Sequence, residues 1–297
     1  MKKLLLAFWL MLPLAASAQS RIETGGLSSD KLGCEQKYNV YLPDGYDAGK
    51  SYPVLYLLHG LYGDHSNWVK VGRMKEVADE LIASGELRPV VIVMPNAGAS
   101  DVHSYQNGYF NVQDWPYEDF FFQEFLPAVE RKYHCGGSKG MRAIAGLSMG
   151  GGGAIVYAQR HPDLFSSAYG MSAWLDHKDR DIRGKDHPGS KLAITDRSVR
   201  DHSALDFVDK ADAATIGQLK TVAWFLDCGD DDHLLQLSVD LHFKLRKAGI
   251  HSELRVRNGG HTWEYWHTAL RTALPFASRN FGARKRGRPT YTGRVWS

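Results

Sequence analysis

The sequence predicts a doubly wound α/β fold, a mostly parallel sheet with helices on both faces. Two patterns predict it. Strand-length apolar runs alternate with longer segments of helical periodicity along most of the chain, as in successive βαβ units. Several of the strand runs are apolar at every position, so both of their faces must be covered, and flanking helices do this for a parallel sheet.

In chain order, the first 18 residues, MKKLLLAFWLMLPLAASA, stand apart from this alternation. Two lysines precede an apolar run from Leu4 to Leu14 and the small residues Ala16, Ser17 and Ala18. This is the pattern of a secretory signal peptide cut after Ala18, and its apolar run is too short for an ordinary membrane span. The mature chain is expected to be exported to the periplasm or exterior of a bacterium, with no membrane span. The strand runs that follow are YNVYL (38–42), YPVLYLL (52–58), PVVIVM (89–94), MRAIAG (141–146), LFSSAYGMS (164–172), TVAWFLDCG (221–229) and SELRVR (252–257). Helices are expected over 71–85, after Trp115 and Pro116, after Ser148, over 234–248 and over 263–279. Pro127 should kink or divide the second of these, because proline removes a helix N–H and crowds the preceding turn. In the fourth, Leu234, Leu237, Leu241 and Leu245 form one stripe, and Gly249 is a natural stop. Residues 175–219 are polar and only weakly periodic. They are expected to form an excursion near the strand ends, where ligands bind in such sheets.

Composition narrows the class. Of the 297 residues, 43% are hydrophobic and 23% charged, which suits a globular enzyme. Residues 19–282 are expected to form one domain, followed by a basic tail, 283–297. The formal charge of +3 resides in the ends: from Gln19 to Ala283 there are 29 basic against 33 acidic residues. The body therefore presents no overall attraction for nucleic acid or an anionic membrane. The tail contains Lys285, Arg286, Gly287, Arg288 and Pro289, which looks like the core of a minor-groove DNA binder. An exported protein seldom meets chromosomal DNA, so a solvated basic tail and no nucleic-acid partner are expected. Three cysteines, Cys34, Cys135 and Cys228, are too few for a disulfide framework, though export permits one pair, with Cys34 and Cys135 favoured over Cys228 in its apolar run.

The chemistry is concentrated in AIAGLSMGGGGAI (143–155). Gly146, Leu147, Ser148, Met149 and Gly150 fit G-x-S-x-G between a strand and a helical segment. A nucleophile at the tip of a sharp strand-to-helix turn needs tiny neighbours two residues to either side. A phosphate-binding loop is excluded because no Lys-Ser or Lys-Thr follows the glycines. A serine hydroxyl needs a base, and the base needs an orienting acid, in the chain order Ser, Asp, His. RNGGHTWEYW (257–266) presents His261 after a strand, and FLDCGDDDHLL (225–235) places three aspartates in the turn before it. The aspartates with His233 invite a metal, but adjacent residues of one turn rarely all face one ion, so neither a metal nor another cofactor is expected. An oxyanion hole requires two N–H groups. That of Met149 follows the nucleophile, and that of Leu61 follows His59 and Gly60 in LLHGLYGDHSNW (57–68), with His59 bracing the loop.

Taken together, these segments resemble the esterase D family of α/β-hydrolases, which includes S-formylglutathione hydrolases, feruloyl and acetylxylan esterases, simple carboxylesterases and mycolyltransferases. The resemblance rests on YNVYLPDGYD, YPVLYLLHGLYGD, MPNAGAS, FFQEFLPAVE, RAIAGLSMGG, DCGDDDHL and GGHTWEYW, which occur in the family's order. The family pattern places the acid three residues after the glycine of the Cys-Gly pair, at Asp232, with Asp231 as runner-up. It implies that Ser148 attacks an ester carbonyl with His261 as base, that Leu61 and Met149 hold the oxyanion, and that water releases the acyl group. Export disfavours the cytosolic substrate of S-formylglutathione hydrolase and favours small or polysaccharide-borne acyl esters, acetyl or feruloyl. Tyr62, Trp68, Tyr105, Trp174 and Trp263 are candidate substrate contacts, with Tyr109 and Trp115 as further aromatic candidates. A short-chain carboxylesterase, a thioesterase, an acyltransferase and a non-catalytic binding protein are the alternatives, the last disfavoured by the intact Ser, Asp, His set.

Overall fold

A computed structural model describes residues 19–98, 107–183, 187 and 189–282. The signal-like segment 1–18, Tyr105 and the basic tail 283–297 lie outside the described residues. Eight strands form the main sheet: β1 (Arg21–Ser29), β2 (Cys34–Leu42), β3 (Val54–Leu58), β4 (Val91–Pro95), β5 (Arg142–Leu147), β6 (Ser167–Met171), β7 (Ala223–Gly229) and β8 (Ser252–Arg257). Their spatial order is β1-β2-β4-β3-β5-β6-β7-β8. The pairs β1·β2 and β2·β4 are antiparallel and the rest parallel.

Residues of β3 through β6 are almost all buried, and alternate positions serve separate cores on the two faces. Leu55, Leu57, Ile92, Ala143 and Ala145 pack under α1 (Met74–Ala83) and α8 (Trp263–Asn280). Tyr56, Leu58, Val93 and Ile144 pack on the opposite face with α3 (Ser148–Arg160). This two-sided coverage is why these strands read as unbroken apolar runs.

Strand β1 has no such signal. Its sequence RIETGGLSS is mostly polar and largely alternates between exposed and half-buried positions at the sheet edge, and Gly25 leaves room for the Tyr38 ring across the strand pair, 2.5 Å from where a Cβ would stand. The segment after Pro116 divides as expected: a helical turn, Tyr117–Phe120, passes into a π-turn, Phe121–Phe125, and then into α2 (Leu126–Lys132). The widened turn lies immediately before Pro127, whose missing N–H would otherwise break the regular ladder. In α7 (Leu235–Lys247), Leu241 and Leu245 are fully buried while Leu237 is half-buried, and Gly249 takes φ +70° just past the helix end.

The described residues of the polar stretch between β6 and β7 include the α-helices α4 (Lys191–Asp201), α5 (Ala204–Lys210) and α6 (Ala213–Leu219). Ser190, Ser203 and Asp212 cap them by accepting from the N–H groups of Ala193, Asp206 and Thr215. Such caps satisfy the first orphan donors of a helix. The one pair that export would permit, Cys34 with Cys135, is not formed: all three cysteines are free. Cys34 opens β2 and is approached by the Gln36 amide, whereas Cys135 is buried after α2 and bridges through its backbone to Tyr52.

Candidate active site

Strand β5 runs directly into α3, and Ser148 stands at the junction with φ +53°. A non-glycine residue in the left-handed region is strained, and such strain persists where the surroundings over-determine it. The surroundings here are glycines. A Cβ at Gly146 would collide with the Gly150 carbonyl, and one at Gly150 with the His59 carbonyl. Gly152 and Gly153 face the Trp174 carbonyl and the Tyr109 ring at distances that leave no room for a side chain, and Gly151 lies close against Ala173, where a Cβ would stand 3.0 Å from its Cα. The glycine run therefore lets α3 sit against the loop after β6, which is tied in turn by the Trp174 N–H donating to the Ser148 carbonyl at 2.9 Å.

The Ser148 Oγ lies 2.9 Å from Nε2 of His261. Nδ1 of the same ring lies 2.9 Å and 3.1 Å from the two oxygens of Asp232. Burial alone would raise the Asp232 carboxyl, but hydrogen bonds from His261, the Leu234 N–H and Ser172 outweigh it and hold the group below its ordinary value. The acid stays ionised and faces an imidazole whose other nitrogen faces the serine. Asp230 turns elsewhere, accepting from the Gly259 N–H at 2.9 Å, and the Asp231 side chain is exposed. The Asp231 N–H donates to the Gly259 carbonyl, so the turn bearing the acid and the loop bearing His261 are joined through their backbones. Beneath them, the fully buried Asp227 accepts from Tyr169, Tyr265 and Arg255, anchoring the start of α8 to the sheet.

The loop after β3 packs against the serine: a Cβ at Gly60 would stand 3.4 Å from that of Ser148. Leu61 follows in this loop, and Met149 is the first residue past Ser148 in α3. His59 is buried, its Nδ1 lies 2.8 Å from the Gly60 carbonyl, and its Nε2 accepts from the Ala97 N–H at 3.0 Å. These contacts require the neutral tautomer with the proton on Nδ1. Burial lowers its pKa to about 4, against 6.5 for a free imidazole. Between those values the unfolded chain takes up a proton that the folded one refuses, so stability must fall as the pH drops through that window. Its contribution to the fall is about 3 kcal/mol. Chemical unfolding of wild type and His59→Gln at pH 7.5 and pH 4.5 should show that part of the acid loss only in the wild type. Equal losses would contradict a neutral brace.

A cavity of about 650 Å³ opens over Ser148. Of the candidate substrate contacts, Tyr62, Trp174 and Trp263 line it. Trp68 does not: it is fully buried, donating to the Leu58 carbonyl and packing edge-on against Trp263, which corrects its expected place among the substrate contacts. Tyr109 and Trp115 are likewise core residues. The cavity also includes His177, Arg183 and Trp266, which the sequence reading missed. His177 and Arg183 fall in the polar stretch without periodicity, while Trp266 sits one helical turn beyond Trp263 and that spacing could have exposed it. Asp232, His233 and His261 offer ligand atoms within 4.8 Å of one another. The carboxylate and both His261 nitrogens are already engaged in the chain to Ser148, so a metal there would dismantle that chain.

The sheet order, the strained serine after β5 and the aligned imidazole and carboxylate define an α/β-hydrolase-type protein. The chain belongs to the esterase family described as "Putative esterase", which matches residues 29–277. It is similar to a ferulic acid esterase of known structure, with 45% identity, 89% of this chain and 99% of that one covered, and a TM-score of 0.84. An endo-1,4-beta-xylanase/feruloyl esterase of Xylanibacter ruminicola is 34% identical over 142 residues, 46% of this chain and 19% of that protein. An acetyl esterase of Caldicellulosiruptor saccharolyticus is 26% identical over 237 residues, 76% of this chain and 83% of that protein. The matches to the first three curated relatives span only 19% to 29% of their lengths.

Proposed function

We propose that this protein is an exported serine esterase that hydrolyses acetyl or feruloyl esters of plant-type polysaccharides through an acyl-enzyme. The observation that carries this is the unbroken chain from Ser148 through His261 to Asp232, with both links at 2.9 Å. In the forward step Ser148 Oγ bonds to the ester carbonyl carbon as its proton passes to His261 Nε2. The carbonyl oxygen takes the negative charge, for which the N–H groups of Leu61 and Met149 are the assigned donors. The intermediate collapses by breaking the bond to the alcohol oxygen, which takes the proton from His261. Water then repeats the sequence on the acyl-enzyme and releases the acid. Asp232 holds the imidazole in the required tautomer and stabilises its charged form.

The named activities of the ferulic acid esterase and acetyl esterase relatives support the acyl classes, and the segment before Gln19 supports export. Labelling with a fluorophosphonate probe tests the nucleophile: wild type should label and Ser148→Ala should not. An unlabelled wild type, or a variant that labels equally, sinks the reading. With acetyl and feruloyl esters as substrates, turnover that yields free acid in water, undiminished by an added alcohol acceptor, distinguishes the hydrolase from a transferase.

A further inference from the structure

The two ends of the cavity come from opposite faces of the sheet. His261, His233, Thr262, Trp263 and Trp266 form one wall, and both tryptophans pack with the core on the α8 side. Tyr62, Trp174, His177 and Arg183 form the other, and Trp174 belongs to the core on the α3 side. Because His261 must hand its proton to the departing alcohol oxygen, the alcohol lies on the His261 wall. The acyl group therefore extends toward Trp174 and Arg183.

Arg183 is held with unusual firmness for a residue at a cavity wall. Asp196, fully buried, accepts from its Nη2 at 2.6 Å, its Nε at 3.1 Å and its own backbone N–H at 2.7 Å. Its guanidinium carbon lies 5.4 Å from the Trp174 ring centroid, and Tyr62 is within its electrostatic reach from the loop after β3. A guanidinium forked by a carboxylate and lying over an indole keeps a fixed plane and stays charged at any working pH. The side chain nevertheless remains 42% exposed and lines the cavity.

Building on the esterase reading above, we propose that Arg183, pinned by Asp196 over Trp174, is a specificity-determining residue that recognises an oxygen at the far end of a planar aryl acyl group. An acetyl group carries no such oxygen, so the subsite distinguishes among aryl esters and confers nothing on acetyl esters. The recognised feature is a hydrogen-bond acceptor in the para position, a phenolic oxygen.

The test uses methyl 4-hydroxycinnamate and methyl 4-methylcinnamate, which match in size and both carry an electron-releasing para group. Wild type should favour the hydroxylated ester by about tenfold in kcat/KM, as a charged donor facing a substrate hydroxyl does at a partly solvated site. Arg183→Met should bring the ratio to within about twofold of one, and Arg183→Lys, which keeps a cation but loses the planar fork, to an intermediate value. Arg183→Met leaves a buried carboxylate unpaired, so Arg183→Met combined with Asp196→Asn provides the same comparison without that penalty. A wild type that hydrolyses both esters alike, or variants that keep the wild-type ratio, overturn the subsite and leave the esterase reading standing. A wild type that hydrolyses neither these esters nor an acetyl ester overturns both.

Discussion

Replacing Ser148 by alanine should lower kcat for ester hydrolysis by about 10⁵-fold to 10⁶-fold, with KM changed little. A residual rate from the N–H donors and from binding alone is expected to survive, as in other triad enzymes stripped of their nucleophile. The geometry adds a second, independent expectation. Ser148 sits at φ +53°, in a buried junction crowded by Gly146, Gly150 and the loop at Gly60. Alanine shares the strain of serine there, but glycine does not. Ser148→Gly should be as inactive as Ser148→Ala yet unfold at a temperature about 2–4 °C higher, since a single strained residue costs on the order of 1 kcal/mol or more. Kinetics on a nitrophenyl ester and thermal unfolding of the three proteins give both readouts. A Ser148→Gly protein retaining more than a small fraction of wild-type turnover would remove the serine from the reaction. One that unfolds at or below the temperature of Ser148→Ala would show that the turn at Ser148 is not strained.

How far the sequence foretold this arrangement depends on where each residue's environment comes from. The central strands were legible because burial on both faces leaves only apolar residues, and Ser148 because its turn demands glycine at fixed offsets. His261 was legible from position, a histidine in a loop directly after the last strand. Asp232 required the family pattern: three adjacent aspartates are alike in a sequence, and only the folded turn directs Asp230 to Gly259, Asp231 to solvent and Asp232 to His261. Strand β1 was silent because its residues are mostly polar and, Ser29 aside, at best half-buried, so no apolar periodicity marks it. The aromatic residues misled for a related reason. Trp68 and Trp263 have the same chemistry and touch each other edge-on, yet one is core and the other is cavity wall. Arg183 could not be read at all, since its placement rests on Asp196, 13 positions away in a stretch whose periodicity is hidden by polar residues. From sequence, Gly151 to Gly153 could serve close helix packing or leave room for substrate; in the fold Gly152 and Gly153 have neighbours, the Trp174 carbonyl and the Tyr109 ring, that exclude a side chain, and Gly151 packs tightly on Ala173.

Exchanging Asp232 for asparagine should cost about 10⁴-fold in kcat while the backbone and the cavity stay in place. The loss follows from proton positions. The carboxylate receives a hydrogen from His261 Nδ1, which leaves Nε2 bare to accept from Ser148. An asparagine can keep the Leu234 N–H bond through its carbonyl oxygen and present its NH₂ to the ring. The imidazole then shifts its proton to Nε2, where it faces the serine hydroxyl as a donor and cannot act as a base. Raising the pH cannot repair this, because the fault is a tautomer and not a protonation deficit. Asp231→Asn is the matched control: its side chain is exposed and its ordering contact is made by the backbone, so turnover should change by less than about twofold, as for surface substitutions generally. Steady-state kinetics of the two variants on one ester, with pH profiles from 5 to 9 on each, separate the assignments. If Asp231→Asn is the crippled variant, the acid has been misassigned within its cluster. If both retain most of the wild-type rate, the imidazole is oriented by something other than a carboxylate, and the chain to Ser148 is not the working one.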